Sequence, residues 1–154
     1  MGRLVDKYMG TRYPEKGVAP LPATELRDAL LALNDTGIRF VIRQGTPKEG
    51  CDLVADCRVR ELRLTLKIRM RLVASTREVR ALDERWEPSH ESSREQYGRG
   101  PATAVYKQWE FKKGPDGRRR KVETLRFDTR DVKNPLRNTV LKAGWTWRGV
   151  LFRP

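Results

Sequence analysis

Cysteine and histidine are almost missing from this chain of 154 residues, which has two of the first and one of the second. Cys51 and Cys57 share strand parity and would lie about 20 Å apart along one extended strand, too far to bridge each other. They read as buried thiols. Cys-x5-Cys with His90 alone falls short of the ligand count of a structural zinc site. No metal, disulfide or other cofactor is therefore expected, which suits a reducing cytoplasmic compartment. Long apolar runs are missing too. The first thirty residues mix charges and prolines without the apolar core of a signal peptide, and no later run approaches the roughly 20 residues of a membrane span. A soluble, unexported protein is expected, of a length that fits one domain.

Acidic residues are the third scarcity. Twenty Asp and Glu face 33 Lys and Arg, a net charge of +13. The excess is uneven: residues 61–80 contribute +4, 81–110 contribute −2 and 111–154 contribute +9. Arginines outnumber lysines 23 to 10, and a guanidinium suits bidentate phosphate contacts. This asymmetry favours a polyanionic partner, although an arginine-rich composition would give an arginine-rich surface without one.

What the chain has in quantity is alternation. In Leu62-Arg63-Leu64-Thr65-Leu66-Lys67-Ile68-Arg69-Met70-Arg71-Leu72, six aliphatic residues alternate with four cations and a threonine. A strand sends these to opposite faces, whereas a helix would scatter them. Two more half-buried strands are predicted before it, Ile38 to Arg43 and Cys51 to Val59, and one after it, Arg77 to Trp86. A turn near Ser75-Thr76 pairs Leu72 with Val79 and Met70 with Ala81. Continued, that register would set Ile68 against Asp83 and put Leu82 and Trp86 on the cationic side, so a bulge near Ala81 is expected.

The first twenty residues read as an extended arm, and 21–154 as a single domain. A helix from Pro22 carries Leu26, Ala29, Leu30 and Leu33 on one stripe and ends at Asn34 to Gly37. Pro88 to Pro101 reads as a flexible surface loop. Gly114-Pro115-Asp116-Gly117 predicts a hairpin with Phe111 opposite Lys121, Trp109 opposite Glu123 and Val105 opposite Phe127. Val105, Trp109, Phe111, Leu125 and Phe127 then share one face, while Lys112 and Arg120 oppose each other on the second. Asn134-Pro135 opens a short helix stopped by Gly144, and Trp145 to Phe152 returns to the sheet. The expected fold is α+β: a six- to seven-stranded, mainly antiparallel meander covered on one face by the N-terminal helix and the short C-terminal helix.

The segments Lys67 to Leu72, Glu78 to Asp83, Tyr97 to Pro101 and Gly144 to Val150 resemble parts of short hypothetical proteins of high-GC actinobacteria, over most of the chain. No activity attaches to that group, so the resemblance transfers no functional residue. It implies only that part of the arginine excess is compositional.

No catalytic constellation stands out. His90 lies among serines but without a nucleophile elbow or oxyanion hole, and reads as an exposed loop histidine. Asp83, Glu84, Glu87 and Glu91 lack the spacing of a calcium loop and read as partners of nearby arginines. Gly98-Arg99-Gly100-Pro101 lacks the pattern of a phosphate-cradling loop. Of the four tryptophans, Trp109 and at least one of Trp145 and Trp147 are expected in the core. Any that faced the cations would offer a stacking surface.

These features point to a non-catalytic polyanion-binding module, nucleic acid being the foremost partner. Its cations would be Arg63, Lys67, Arg69 and Arg71 on the sheet, with Lys112, Lys113, Arg118, Arg119, Arg120 and Lys121 at the hairpin tip. The tip, with fewer acids nearby, is the better place for a bound anion. Two alternatives remain: a carrier or enzyme with an apolar pocket between sheet and helix, and a basic subunit that meets an acidic protein.

Overall fold

Aliphatic alternation builds the sheet around its two longest strands. In the computed structural model, which describes residues 3–89 and 94–154, the strands are β1 (Val41–Gln44), β2 (Leu53–Val59), β3 (Leu64–Val73), β4 (Glu78–Pro88), β5 (Glu95–Arg99), β6 (Val105–Lys113), β7 (Arg119–Asp128) and β8 (Thr146–Val150). Three helices accompany them: α1 (Arg3–Tyr8), α2 (Ala23–Ala32) and α3 (Arg130–Lys142). The fold is α+β. Strands β1 to β5 form an antiparallel meander in chain order, and β8 pairs in parallel with β4. Strands β6 and β7 form a separate two-stranded ribbon instead of extending the meander.

One face of the sheet is aliphatic. Ile42, Leu53, Ala55, Cys57, Leu66, Ile68, Met70 and Val79 point to the helices, where Leu26 and Leu30 of α2 and Val132, Leu136 and Val140 of α3 complete the core. Trp145 and Trp147 are both fully buried there, and the Trp145 indole N–H donates to the Leu21 carbonyl at 2.8 Å. Cys57 is buried, whereas Cys51 is half-buried in the loop before β2, outside the strand.

The expected bulge near Ala81 does not form. The β3 to β4 register is continuous, with Leu72 opposite Val79, Met70 opposite Ala81 and Ile68 opposite Asp83 across a four-residue connection. Asp83 is thereby turned toward the helices. It is tolerated because Lys133 of α3 comes down over it, Nζ lying 2.7 Å from the carboxylate. Burial pushes the Asp83 carboxyl above the usual range, while the Lys133 charge works in the opposite direction.

Four other expectations are corrected. Residues 1–20 are not an extended arm throughout: α1 occupies 3–8, and Arg12 then pairs with Trp147, the two backbones exchanging hydrogen bonds of 2.8 and 2.9 Å. The approach is so close that a Cβ on Gly149 would fall 1.8 Å from the Met9 carbonyl oxygen, so only glycine fits. The 88–101 segment holds β5, because Tyr97 packs on Trp86 and pairs with it across the ladder. His90 and Glu91 lie outside the described residues. Helix α3 starts at Arg130, not at Asn134, since Val132 belongs to the same buried stripe as Leu136 and Val140 and the Asp128 carboxylate accepts the Arg130 N–H at 2.9 Å. Finally, β3 begins at Leu64. A 3₁₀ turn at Arg60–Leu62 ends on Arg63 in the left-handed region, φ 50°, which takes Arg63 out of the ladder.

Lys133→Ala should cost about 1–3 kcal/mol in urea unfolding at neutral pH, since it strands a half-buried carboxylate. Because burial raises the Asp83 pKa, the deficit should shrink in acid, once that carboxyl is protonated, and Asp83→Asn in the same background should recover part of it.

Candidate polyanion interface

The hairpin turn forms as its residues dictate. Gly117, at φ +76°, closes the loop; the Gly114 N–H donates to the Arg118 carbonyl at 2.9 Å, and the Asp116 carboxylate accepts the Arg118 N–H at 3.1 Å. Near the tip the register is the expected one: Lys113 opposite Arg119, Lys112 opposite Arg120, Phe111 opposite Lys121 and Trp109 opposite Glu123. Below Trp109 it shifts. Gln108 faces Leu125, Lys107 faces Arg126 and Tyr106 faces Phe127, leaving Thr124 as the extra residue of a bulge.

That single residue inverts side-chain parity along β7. Phe127 is turned into the core and Leu125 packs at its edge, beside Tyr106, while Trp109 and Phe111 are left on the other face with Lys107 and Arg126. The expected core role of Trp109 is therefore wrong. Trp109 is 43% exposed and Phe111 72% exposed. The resulting surface carries Lys107, Lys113, Arg119, Lys121 and Arg126 around the two aromatic rings, with two acids in the same ladder, Glu123 and, at the base, Asp128, which Arg130 pairs at 2.7 Å. The ammonium groups of Lys121 and Lys107 lie 5.0 and 5.9 Å from the Trp109 ring centre.

The ribbon projects from a fixed base. Tyr106 donates its hydroxyl proton to Glu87 at 2.7 Å and accepts from Arg85 at 3.1 Å, and burial with the Glu87 contact pushes its phenol pKa up. Ala104 and Thr129 clamp the two strand ends through N–H to hydroxyl and N–H to carbonyl bonds, both 3.0 Å. Beyond the bulge the side chains of both strands are exposed. Charge at the tip is poorly compensated: Lys112 and Arg120 sit directly opposite one another, as do Lys113 and Arg119. The Asp116 to Arg120 contact, 3.0 Å, is the ion pair of this tip among the described residues. Like charges in directly opposed positions repel.

The sheet cations behave differently. Asp56, Lys67, Glu84 and Arg99 follow one another in register across β2, β3, β4 and β5, a row of alternating sign. Lys67 lies over the Trp86 ring at 5.6 Å. Arg69 Nε lies 2.6 Å from the buried Glu84 carboxylate, an ion contact off the N–H axis, and the Tyr97 hydroxyl donates to the same carboxylate. Arg71 is exposed and donates to the Gly50 carbonyl at 3.2 Å. Arg63 stands apart on its turn. The four thus do not form the free ladder their spacing suggests. They also lie away from the ribbon's base, since Arg85 and Glu87, which hold Tyr106, share the helix-side parity of Asp83.

Lys107 and Arg126 belong to the ribbon surface and were missed. The signal was present: Tyr106 and Phe127 are the bulkier apolar pair for the base, and matching them to the turn register requires one extra residue in β7. Among the described residues no group of three His, Cys, Asp or Glu side chains could hold a metal ion, and no helix is long and apolar enough to cross a membrane. The space between the sheet and α3 beside Asp83 amounts to about 30 Å³, room for a water or two.

Comparison with protein-family models, with curated proteins and with solved structures yields no match.

If the tip is held against its own repulsion, Arg119→Glu should steady it by pairing with Lys113, by about 0.2–1 kcal/mol. Slower amide hydrogen exchange in β6 and β7, with the rest of the sheet unchanged, is the expected result.

Proposed function

We propose that this chain is a non-catalytic nucleic-acid-binding module whose contact surface is the cationic, aromatic face of the β6 to β7 ribbon. The observation that carries this reading is the parity switch at Thr124, which leaves Trp109 and Phe111 exposed among five cations. A two-stranded ribbon is of a size that the major groove of a duplex admits, and exposed rings among cations also suit the stacked bases of a single strand. The tip, where Asp116 is the only acid paired with a cation among the described residues, fits the same reading, since phosphates would relieve the repulsion between Lys112 and Arg120 and between Lys113 and Arg119. The sheet cations Lys67 and Arg69 contribute to folding in this scheme, through Trp86 and Glu84.

Binding of duplex and single-stranded oligonucleotides, followed by fluorescence anisotropy, should weaken steeply with salt. About five phosphate contacts give a slope of about −4.5 in a plot of log K against log salt for a duplex. The triple variant Lys113→Glu, Arg119→Glu, Lys121→Glu should abolish it, and Trp109→Ala should weaken single-strand binding by about fivefold or more. Undetectable binding at low salt, or binding that survives high salt unchanged, would overturn the reading.

A further inference from the structure

The face of the sheet opposite the helices carries a second basic feature, far more enclosed than the ribbon. Along one edge of β4, β8 pairs as far as Leu82 and β5 pairs from Glu84 onward, so the two strands meet end to end with Asp83 between them, its carbonyl accepting the Gly100 N–H at 3.0 Å. Over this junction the 47–50 loop and the 152–154 tail stand on either side of a cleft of about 810 Å³. That volume falls within the usual range for small-molecule sites.

The loop wall is pinned from below. Arg43 grips Glu49 with two hydrogen bonds of 2.8 Å, and Thr46 donates both its N–H and its hydroxyl to the same carboxylate, which together hold the Glu49 carboxyl down at about 2. Arg69 and Arg71 donate to the carbonyls of Glu49 and Gly50, at 3.3 and 3.2 Å. Gly45 makes the fold-back possible, since a Cβ there would lie 2.2 Å from the Cys51 carbonyl oxygen.

The charges lining this cleft do not cancel. Its cations are Lys48, Arg69, Arg71, Arg99 and Arg153, and its one acidic side chain, Glu49, is already taken by Arg43. Arg69 is answered by Glu84. Arg71 and Arg99 bond only to neutral groups, the Gly50 carbonyl and the Tyr97 hydroxyl, and neither Lys48 nor Arg153 has a carboxylate within ion-pair distance among the described residues. Four cations with no carboxylate within ion-pair distance among the described residues thus converge on a space whose other lining is Pro47, Gly50, Pro154, Leu82, 3% exposed, and Phe152, which is 72% exposed at the rim. One phosphate would leave most of that charge unanswered. Two or three adjacent phosphoryl groups would match it, and a planar base has Phe152 on which to stack.

We propose that this cleft binds a nucleoside di- or triphosphate, its phosphates held by Arg71, Arg99, Lys48 and Arg153 and its base against Phe152. The site is separate from the ribbon, and so are their tests. Calorimetric titration at low salt should show saturable binding of ADP and of pyrophosphate, AMP weaker than ADP by about tenfold or more, and no binding of adenosine. Arg71→Ala with Arg153→Ala should weaken ADP and pyrophosphate alike by about tenfold or more, whereas Phe152→Ala should weaken ADP and leave pyrophosphate unchanged. All three side chains are exposed, and an unchanged far-ultraviolet circular dichroism spectrum checks that the variants remain folded. The ribbon triple variant should bind ADP as the parent does. Absence of saturable ADP binding up to about 1 mM, equal affinity for ADP and AMP, or loss of ADP binding in the ribbon variant would each overturn the proposal.

Discussion

The unbroken register between β3 and β4 is the constraint on which most of the molecule depends. Nine consecutive residue pairs join these strands, and the aliphatic residues of β3 leave no freedom to slip by one without turning Leu66, Ile68 and Met70 to the wrong face. Holding that register sends Asp83 toward the helices and Leu82, Glu84 and Trp86 away from them. Each misplaced residue then needs a neighbour. Lys133 meets Asp83, Arg69 and Tyr97 meet Glu84, and Lys67 and Tyr97 pack on Trp86. A bulge would have spared the chain these arrangements, but it would have cost a ladder pair in the centre of the sheet. The surrounding elements supply the partners instead.

In the ribbon the balance falls the other way. There the strands are exposed beyond their first few residues, so no buried face penalises an extra residue, and the bulge at Thr124 reconciles two local demands. The turn at Gly114 to Gly117 fixes the pairing from one end, and the burial of Phe127 fixes it from the other. The two differ by one residue, and β7 absorbs the difference. Trp109 and Phe111 are exposed as a consequence of that mismatch.

The cations of this protein therefore divide by what surrounds them. Where β1 to β5 interleave acids and bases in register, Arg43, Lys67 and Arg69 are occupied with carboxylates or rings and hold loops and strands in place. At the ribbon tip and around the outer cleft acids are fewer: Asp116 answers Arg120 and Glu84 answers Arg69. Lys112, Lys113 and Arg119 at the tip and Lys48, Arg71, Arg99 and Arg153 at the cleft have no carboxylate within ion-pair distance among the described residues and remain available for an external anion. Net charge does not distinguish these groups, because it counts a guanidinium paired at 2.6 Å and one open to solvent alike.

Period-two alternation in β2 and β3, the stripe of Leu26 and Leu30, and the Gly-Pro-Asp-Gly turn were all legible along the chain, because each depends on residues within a few positions of one another. They were enough for the α+β class, the aliphatic face and the tip register. Whether β4 bulged, where β7 slipped, that β5 lay within an apparent loop and which cations were free were not legible. Those outcomes rest on encounters across long stretches of sequence: Lys133 with Asp83, Phe127 with the core, Tyr97 with Trp86, and residues 47–50 facing 152–154 across one cleft. Local propensity sets what each segment prefers, but only packing decides which of two nearly equal registers or pairings lowers the free energy of the whole.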